Sequence, residues 1–434
     1  MGLALVYAIR MLGLFLILPV FSLYARELPG TTAFLIGLAI GIYGLTQALF
    51  QIPLGILSDR IGRKPVIIGG LCMLFAGSIV AALSSSIEGI IVGRALQGCG
   101  AIAAATLALV GDLTRDSVRS RAMAVVGMSI GLSFFIAMIV APWLDSLIGI
   151  KGIFYFTAVL AILAITFVIY VVPSSRVVSA PVIVQHSLNK VLRNSQLLRL
   201  DLGIFCLHLL LTADFVVLPL MLVDYYQLEP ARHSWVYAGC LVGSVILMAP
   251  FLIYAEKKRQ QKIMFSSALL VLIVSHIGLA FIPASLVLAI ILLLLFLAAF
   301  NFLEASLPAL VTRHAPAALR GAATGVYSSS QFLGIFCGGV LGGWIYGQYG
   351  MRAVFLGSTV LVVIWLMFAL GMREPQRLNT HVVNIPEGNL NDIKGFSDKL
   401  AALPGVAEVT LVENKAHIEV DPVVFDQQAL ALLV

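Results

Sequence analysis

The chain has 434 residues, 60% of them hydrophobic and only 11% charged, with a formal net charge of +6. Soluble domains carry about 25% charged residues, so a water-solvated enzyme or binding module is excluded and lipid must solvate most of the surface. The cations are scattered between apolar runs, which argues against a nucleic-acid partner.

Apolar runs long enough to cross a hydrocarbon core of about 30 Å as helices begin almost at once. They fall at 2–22, 34–57, 65–83, 88–111, 122–147, 151–172, 200–226, 234–254, 263–283, 285–311, 320–347 and 351–371. Twelve transmembrane helices are predicted; barrel strands would be about 10 residues long and alternating. The first run has no basic n-region and no small-residue cleavage site, so it reads as a retained helix rather than a signal peptide. Most connections are short, which predicts antiparallel neighbours. The five cysteines lie inside apolar runs without close pairing, which excludes a CxxC metal site and argues against a disulfide framework. No cofactor site is read, and no ATPase motif occurs, so transport would be gradient-driven or passive.

The connection after the second run reads Gly55-Ile-Leu-Ser-Asp59-Arg60-Ile-Gly62-Arg63-Lys64, a concentration of charge in a chain that avoids it. Gly55 suits a close approach of helix two to another backbone. Asp59 suits the unpaired N–H groups and positive dipole at a helix N-terminus. Gly62 suits a tight turn, and Arg60 and Lys64 are placed to pair with lipid phosphate. Connections on the N-terminal side hold Arg60, Arg63, Lys64, Arg115, Arg119, Arg121, Arg176, Lys190, Arg193, Arg199, Lys257, Lys258, Arg259, Lys262, Arg313, Arg320, Arg373 and Arg377. The opposite side holds Arg26, Lys151, Arg232 and Arg352. This asymmetry predicts that both termini are cytoplasmic.

The longest connection, 173–199, divides the helices into halves at 1–172 and 200–375. A weak repeat agrees: Arg119-Ser-Arg-Ala-Met-Ala opens segment five, and Arg320-Gly-Ala-Ala-Thr-Gly opens segment eleven, 201 residues later. Two related six-helix halves are a transporter architecture with a site near the midplane between them. Ionisable residues at membrane depth are few, and each costs about 3 kcal/mol or more unless paired or hydrated. Arg10, Arg94, Asp214 and Glu304 are the ones that matter here. Asp214 and Glu304 are candidate proton carriers. Arg10, Arg94, Gln47, Gln51, Asn301 and Gln331 are candidate cavity residues, each with helix-to-helix bonding as the alternative. His208 and His276 are single histidines without metal-ligand companions. The glycine-rich GVLGG at 339–343 lies within an apolar run and reads as a close-packing surface.

The composition changes after Arg377. A strand is expected at 381–385, and Leu390, Ile393, Phe396, Leu400 and Leu403 give a helical stripe. Strands follow at 406–412 and 417–420 around a turn at Glu413-Asn414-Lys415, and a second helix begins between Phe425 and Leu433. The order βαββα over 380–434 resembles a ferredoxin-like domain without its last strand. Its first loop, Pro386-Glu-Gly-Asn389, has no cysteine or histidine, so metal binding by the heavy-metal-associated mode is excluded.

The 55–64 stretch resembles the signature G-x-x-x-D-R-x-G-R-[RK] of the major facilitator superfamily, and the resemblance covers residues 1 to about 375. Arg94, Gln97 and Gly98 in RALQG resemble that family's fourth-helix motif, and 255–259 is a degraded copy of the signature loop. The fifth-helix antiporter motif is partly present as Gly127, Gly131 and Ala141-Pro142, followed by Trp143, Leu144, Asp145 and Ser146 rather than its closing glycines. With its C-terminal domain, the chain is similar to the YajR type of bacterial carriers. The resemblance implies an all-α membrane fold of twelve helices in two halves, plus the small α+β tail. It implies that helices one, four, seven and ten line the cavity. It also implies a latch on the cytoplasmic side, in which Asp59 faces the start of helix eleven near 316–320 and Arg63 pairs with Asp112. The expected function is proton-coupled export of small amphipathic molecules across the inner membrane by alternating access. A transport-silent sensor, whose tail binds a small ligand or self-associates, and a proton symporter or uniporter for a nutrient are the alternatives.

Overall fold

The computed structural model describes residues 2–114, 116–173, 184–258, 260–281, 285–315, 319–372, 379–385, 393–412, 415–420, 424–426 and 429–430. Helices dominate. The first half contains α1 (Gly2–Phe15), α2 (Phe21–Ala25), α3 (Ala33–Ile61), α4 (Arg63–Leu83), α5 (Ile87–Cys99), α6 (Ala103–Leu113) and α7 (Asp116–Tyr170). A linker helix, α8 (Val184–Arg193), leads to α9 (Ser195–Asp224), α10 (His233–Lys257), α11 (Gln261–Ala280), α12 (Leu286–His314), α13 (Arg320–Tyr349) and α14 (Met351–Leu370). Among the described residues, nine spans are long and apolar enough to cross a membrane.

Polar side chains start several of these helices. Thr32 accepts from the Leu35 N–H at 3.3 Å, Ser86 from Gly89 at 3.3 Å, and Asn194 from Gln196 at 3.0 Å. Each satisfies a donor that the first helical turn leaves unpaired. Gly149 has φ 66° inside α7 and breaks it into two rods. Gly350 has φ 79° between α13 and α14. Both lie in the left-handed region that favours glycine, and they stand at the same offset as Arg119 and Arg320. The internal repeat is therefore written in turn geometry as well as in sequence.

Within the first half, α4 packs on α5 and α7, and α1 packs on α7; in the second, α11 packs on α12 and α14. One continuous apolar core runs through both halves. Helix α9 is almost wholly enclosed, with α12, α13 and α14 packed against it.

The tail has its own small core. Strands β1 (Asn379–Asn384), β2 (Val406–Val412) and β3 (Lys415–Val420) form an antiparallel sheet in the order β1-β3-β2, with α15 (Ile393–Ala401) between β1 and β2 in sequence. Ala416, Ile418 and Val420 alternate inward, as period two requires, against Ile385, Phe396 and Leu400. The expected metal-free loop at 386–389 and the turn at Glu413-Asn414 lie outside the described residues, as does most of the expected second helix.

Candidate functional site

The two halves touch most closely where α3 and α13 cross. A methyl group on Gly41 would lie 2.7 Å from the Phe336 carbonyl oxygen, and one on Gly37 would lie 3.0 Å from Gly343 Cα. Gly44 faces Phe332 in the same way. Backbones approach this closely only where side chains are absent. Opposite faces of α13 serve different partners: Gly339 and Gly343 meet α3, whereas Gly338 and Gly342 meet α9. The GVLGG stretch is thus the packing surface that the sequence suggests. Beyond the seam, on the side of residues 26–32, Arg26 pairs with Asp224 across the halves at 2.9 Å. Ser22 also donates to the Phe215 carbonyl at 3.4 Å.

Toward the 55–64 end the same helices part. Continued toward this end, the antiparallel register of Gly41 with Phe336 and Gly44 with Phe332 would set Gln47 opposite Ser329 and Gln51 opposite Gly325. A methyl group on Gly325 or Gly321 would meet nothing within 4 Å. Gly55 instead faces the Ala104 methyl of α6 at 3.3 Å, so its close neighbour is a helix of its own half.

At the level where the helices part, each half contributes polar groups. From the first half, Arg10 donates to Gln47 Oε1, and Gln47 donates to Gln51 Oε1 at 3.0 Å; all three side chains are buried. Arg94 donates to Gln97 at 2.8 Å and to the Ala39 carbonyl at 3.4 Å, and its guanidinium lies 5.0 Å from the Tyr43 ring centre. Gln97 continues to Ser78 at 2.7 Å. Arg94 therefore ties α3, α4 and α5 together, the bonding role the sequence left as its alternative.

From the second half, the Gln331 amide lies 2.8 Å from His208 Nε2 and 3.5 Å from Glu304 Oε1. His208 Nδ1 stands 3.9 Å from Glu304 Oε2. The Glu304 side chain is 32% exposed, against 4% for His208, while its Oε2 is buried without a hydrogen-bond partner. Asn301, one turn away on α12, donates to Ser244 at 2.8 Å and joins α12 to α10.

The sequence groups Asp214 with Glu304, but the structure separates them. Asp214 lies inside the second half, with His276 Nε2 at 2.8 Å and the Ser358 hydroxyl at 3.4 Å. His276 Nδ1 is 2.7 Å from the Leu272 carbonyl. A carbonyl only accepts, so Nδ1 carries a proton, and one further proton is shared between Nε2 and the carboxylate. The reason for the separation is helical geometry. Asp214 is six positions beyond His208, about 240° around α9, and points to α11 and α14 instead of the interface.

The signature loop is tied within its own half. Arg63 pairs with Asp59 and reaches Asp112 at 3.4 Å. It also donates to Ser58 at 2.7 Å, and Ser58 donates to the Gly55 carbonyl at 2.6 Å. Gly62, with φ 100°, makes the turn between α3 and α4. Among the described residues no hydrogen bond joins Asp59 to α13. Lys64 corrects an expectation. Rather than pairing with lipid phosphate, its ammonium donates to the carbonyls of Ile169 and Val172 at 2.8 and 2.9 Å. It caps the end of α7, where unpaired carbonyls and the negative dipole favour a cation. Arg60 is exposed. In the second half, Arg313 pairs with Glu256 at 3.2 Å at the corresponding helix ends.

Two helical halves that touch along a glycine seam at one mouth and part at the other, with ionisable groups between, define a membrane carrier. The chain belongs to the Major Facilitator Superfamily, whose model matches residues 3–211 and 200–390. It is 44% identical over 428 residues to the inner membrane transport protein YajR of Escherichia coli K12, covering 97% of this chain and 93% of that protein. It is 28% identical to the multidrug resistance protein MdtH of Yersinia enterocolitica over 62% of this chain and 67% of that one. Among solved structures, it resembles a bacterial homologue of the human lysosomal transporter Spinster in an inward-facing, occupied conformation. That match has a TM-score of 0.71 at 13% identity and covers 85% of this chain and 95% of the other. The protein is thus a membrane transporter, not an enzyme.

Sequence reasoning missed His208 and His276 as partners of the acidic residues. Each is a solitary histidine in an apolar run, and its carboxylate lies far away in the chain, so no local spacing marks it.

Proposed function

We propose that this protein is a proton-coupled exporter of small amphipathic molecules, working by alternating access in the inner membrane with both termini cytoplasmic. Its crossings are twelve: α1 with α2, α3, α4, α5 with α6, the two rods of α7, and α9 to α14. Glu304 carries the proton, with His208 as its relay partner and Gln331 holding the two in place through its amide. The observation that carries this reading is Glu304 itself, a partly exposed acidic side chain at membrane depth whose Oε2 is buried without a hydrogen-bond partner. An intramembrane carboxylate is costly, and a proton relay is a use that accounts for it. Likeness to MdtH, a multidrug resistance protein by name, supports export.

In this cycle the seam closes the outer mouth and the 55–64 loop latches the inner one. The conformation seen has the seam closed, so Asp59 rests on Arg63; when the mouths exchange, it turns to the N-terminus of α13. Such an anion–dipole contact is worth about 0.3–2 kcal/mol, small enough to break in every cycle. The tail, whose βαββ order and β1-β3-β2 sheet suit a ferredoxin-like domain, is regulatory.

Proteoliposomes with a lumenal pH dye test the proposal. Addition of a transported amphipath should release protons from the acidic side in the wild-type protein but not in Glu304→Gln. Asp59→Asn should lower transport and favour the state with the outer mouth closed. Solute flux that is independent of the pH gradient and unaffected by Glu304→Gln would refute proton coupling.

A further inference from the structure

The buried charges of the first half are not matched. The first half buries two guanidinium groups, Arg10 and Arg94, each 1% exposed. Arg10 has one hydrogen-bond acceptor, the Gln47 amide, while its Nε and Nη1 have no protein partner among the described residues. Arg94 Nη2 is likewise without one. Among the described residues neither guanidinium forms an ion pair with a carboxylate. Glu304, which belongs to the other half, has His208 and Gln331 as its neighbours. A buried cation without a counter-charge is unfavourable unless an anion arrives to pair with it.

The surroundings of Arg10 have the features of a binding site. Its partners Gln47 and Gln51 continue the α13-facing stripe of α3, at i+3 and i+7 from Gly44, where α3 and α13 part. On the α3-facing side of α13 the Ser329 hydroxyl is buried without a protein partner, and on the near side so is that of Tyr43; the orphaned Tyr327 hydroxyl lies on the α9-facing stripe with Gln331. Apolar rings also meet across the two halves. Phe15 packs on Phe134 with centroids 5.2 Å apart, Phe134 faces Phe300 across the halves at 6.3 Å, and Phe300 faces His208 at 6.0 Å. A site of orphaned donors with an aromatic wall suits an amphipath with one polar end, and the uncompensated guanidinium fixes the sign of that end.

We infer that the site between the halves takes an organic anion, with a compact acidic group received by Arg10 and an apolar or aromatic body lying against Phe15, Phe134 and Phe300. The inference rests on the transporter reading of this site and narrows its substrate class. A guanidinium offers a carboxylate two parallel N–H donors along one edge; with one Nη2 hydrogen on Gln47, Arg10 keeps its other edge, the second Nη2 hydrogen beside a free Nε or Nη1, for them. Arg94, on the far side of Tyr43, adds positive potential without having to touch the ligand.

The test is calorimetric binding to the purified full chain in nanodiscs of zwitterionic lipid, using three probes with one body: 1-naphthoate, 1-naphthylmethanol and 1-naphthylmethylammonium. The naphthoate should bind at least about tenfold more tightly than either of the others. Arg10→Gln should weaken naphthoate about 30-fold or more and leave the alcohol unchanged, while Arg10→Lys keeps part of the affinity. Preference for the ammonium probe, absence of naphthoate binding, or an unchanged naphthoate Kd in Arg10→Gln would overturn the inference. If Arg10→Gln does not fold, the wild-type selectivity and the lysine variant decide it. Displacement of naphthoate by phosphatidylglycerol doped into the discs would assign the site to lipid headgroups and overturn the solute reading. Binding at equilibrium needs no gradient, so loss of proton coupling in the flux assay and loss of anion selectivity here are distinguishable failures.

Discussion

Gly41→Ala should push the carrier out of the conformation seen. The new methyl would lie 2.7 Å from the Phe336 carbonyl oxygen, 3.1 Å from its Cα and 3.3 Å from the Ile335 carbonyl oxygen. All are backbone atoms of α13, which cannot rotate away. The helices must separate by about 0.8 Å or more to restore a contact near 3.5 Å, and gaps of that size forfeit roughly a quarter to a half of each neighbouring dispersion well. Overpacking of this kind costs about 1–3 kcal/mol. The cost falls only on the state in which the seam is closed, so the population open at the 26–32 mouth should rise by about 5–150-fold. Spin labels at Ser85 and Glu229, one on each half at that mouth, should report a longer distance by pulsed electron resonance. Gly69→Ala is the control, because a methyl there meets nothing within 4 Å. An unchanged distance distribution in Gly41→Ala, in protein that remains folded, would refute the claim that the seam holds this mouth shut.

Asp214→Asn or His276→Ala should each destabilise the protein by about 3–5 kcal/mol, because breaking a buried pair strands its partner. The double variant should recover part of that loss, as thermal unfolding in detergent would show. Lys64→Met should remove the cap on α7 at a cost of about 0.3–1 kcal/mol, whereas Lys64→Arg should keep it, with melting temperature as the readout. The Arg26–Asp224 pair is 38% and 42% exposed, so Arg26→Ala should cost about 1 kcal/mol or less and the effect should vanish in high salt. The same spin-label pair, measured at two ionic strengths, checks this.

Helix positions were legible because length and apolarity fix a membrane span almost independently of its neighbours. Part of the signature loop was legible too, since Arg63 finds Asp112 and Gly62 makes the turn through short-range geometry, whereas the place of Asp59, here on Arg63, depends on the other half. What could not be read was rotation. Asp214 and Glu304 have the same chemistry at similar depth, and only the angle around α9 turns Asp214 away from the interface and toward His276. Lys64 was misread because its acceptors, Ile169 and Val172, lie more than a hundred positions away, where no spacing rule applies. Arg10 and Arg94 looked equivalent in the sequence. Their difference, one held by the Gln47 amide alone and the other by Gln97, the Ala39 carbonyl and the Tyr43 ring with only Nη2 unpartnered, depends on which helix each one meets.

The central claim is that the parted ends of α3 and α13 must close for each transport cycle. It is tested most directly by replacing Leu54 and Ala322 with cysteines, in a background without the native five, and bridging them with a short bifunctional reagent. Flux in proteoliposomes should stop when the bridge forms and return when it is cleaved, and bridging should be faster while substrate is being transported. Full flux in quantitatively bridged protein would contradict the account.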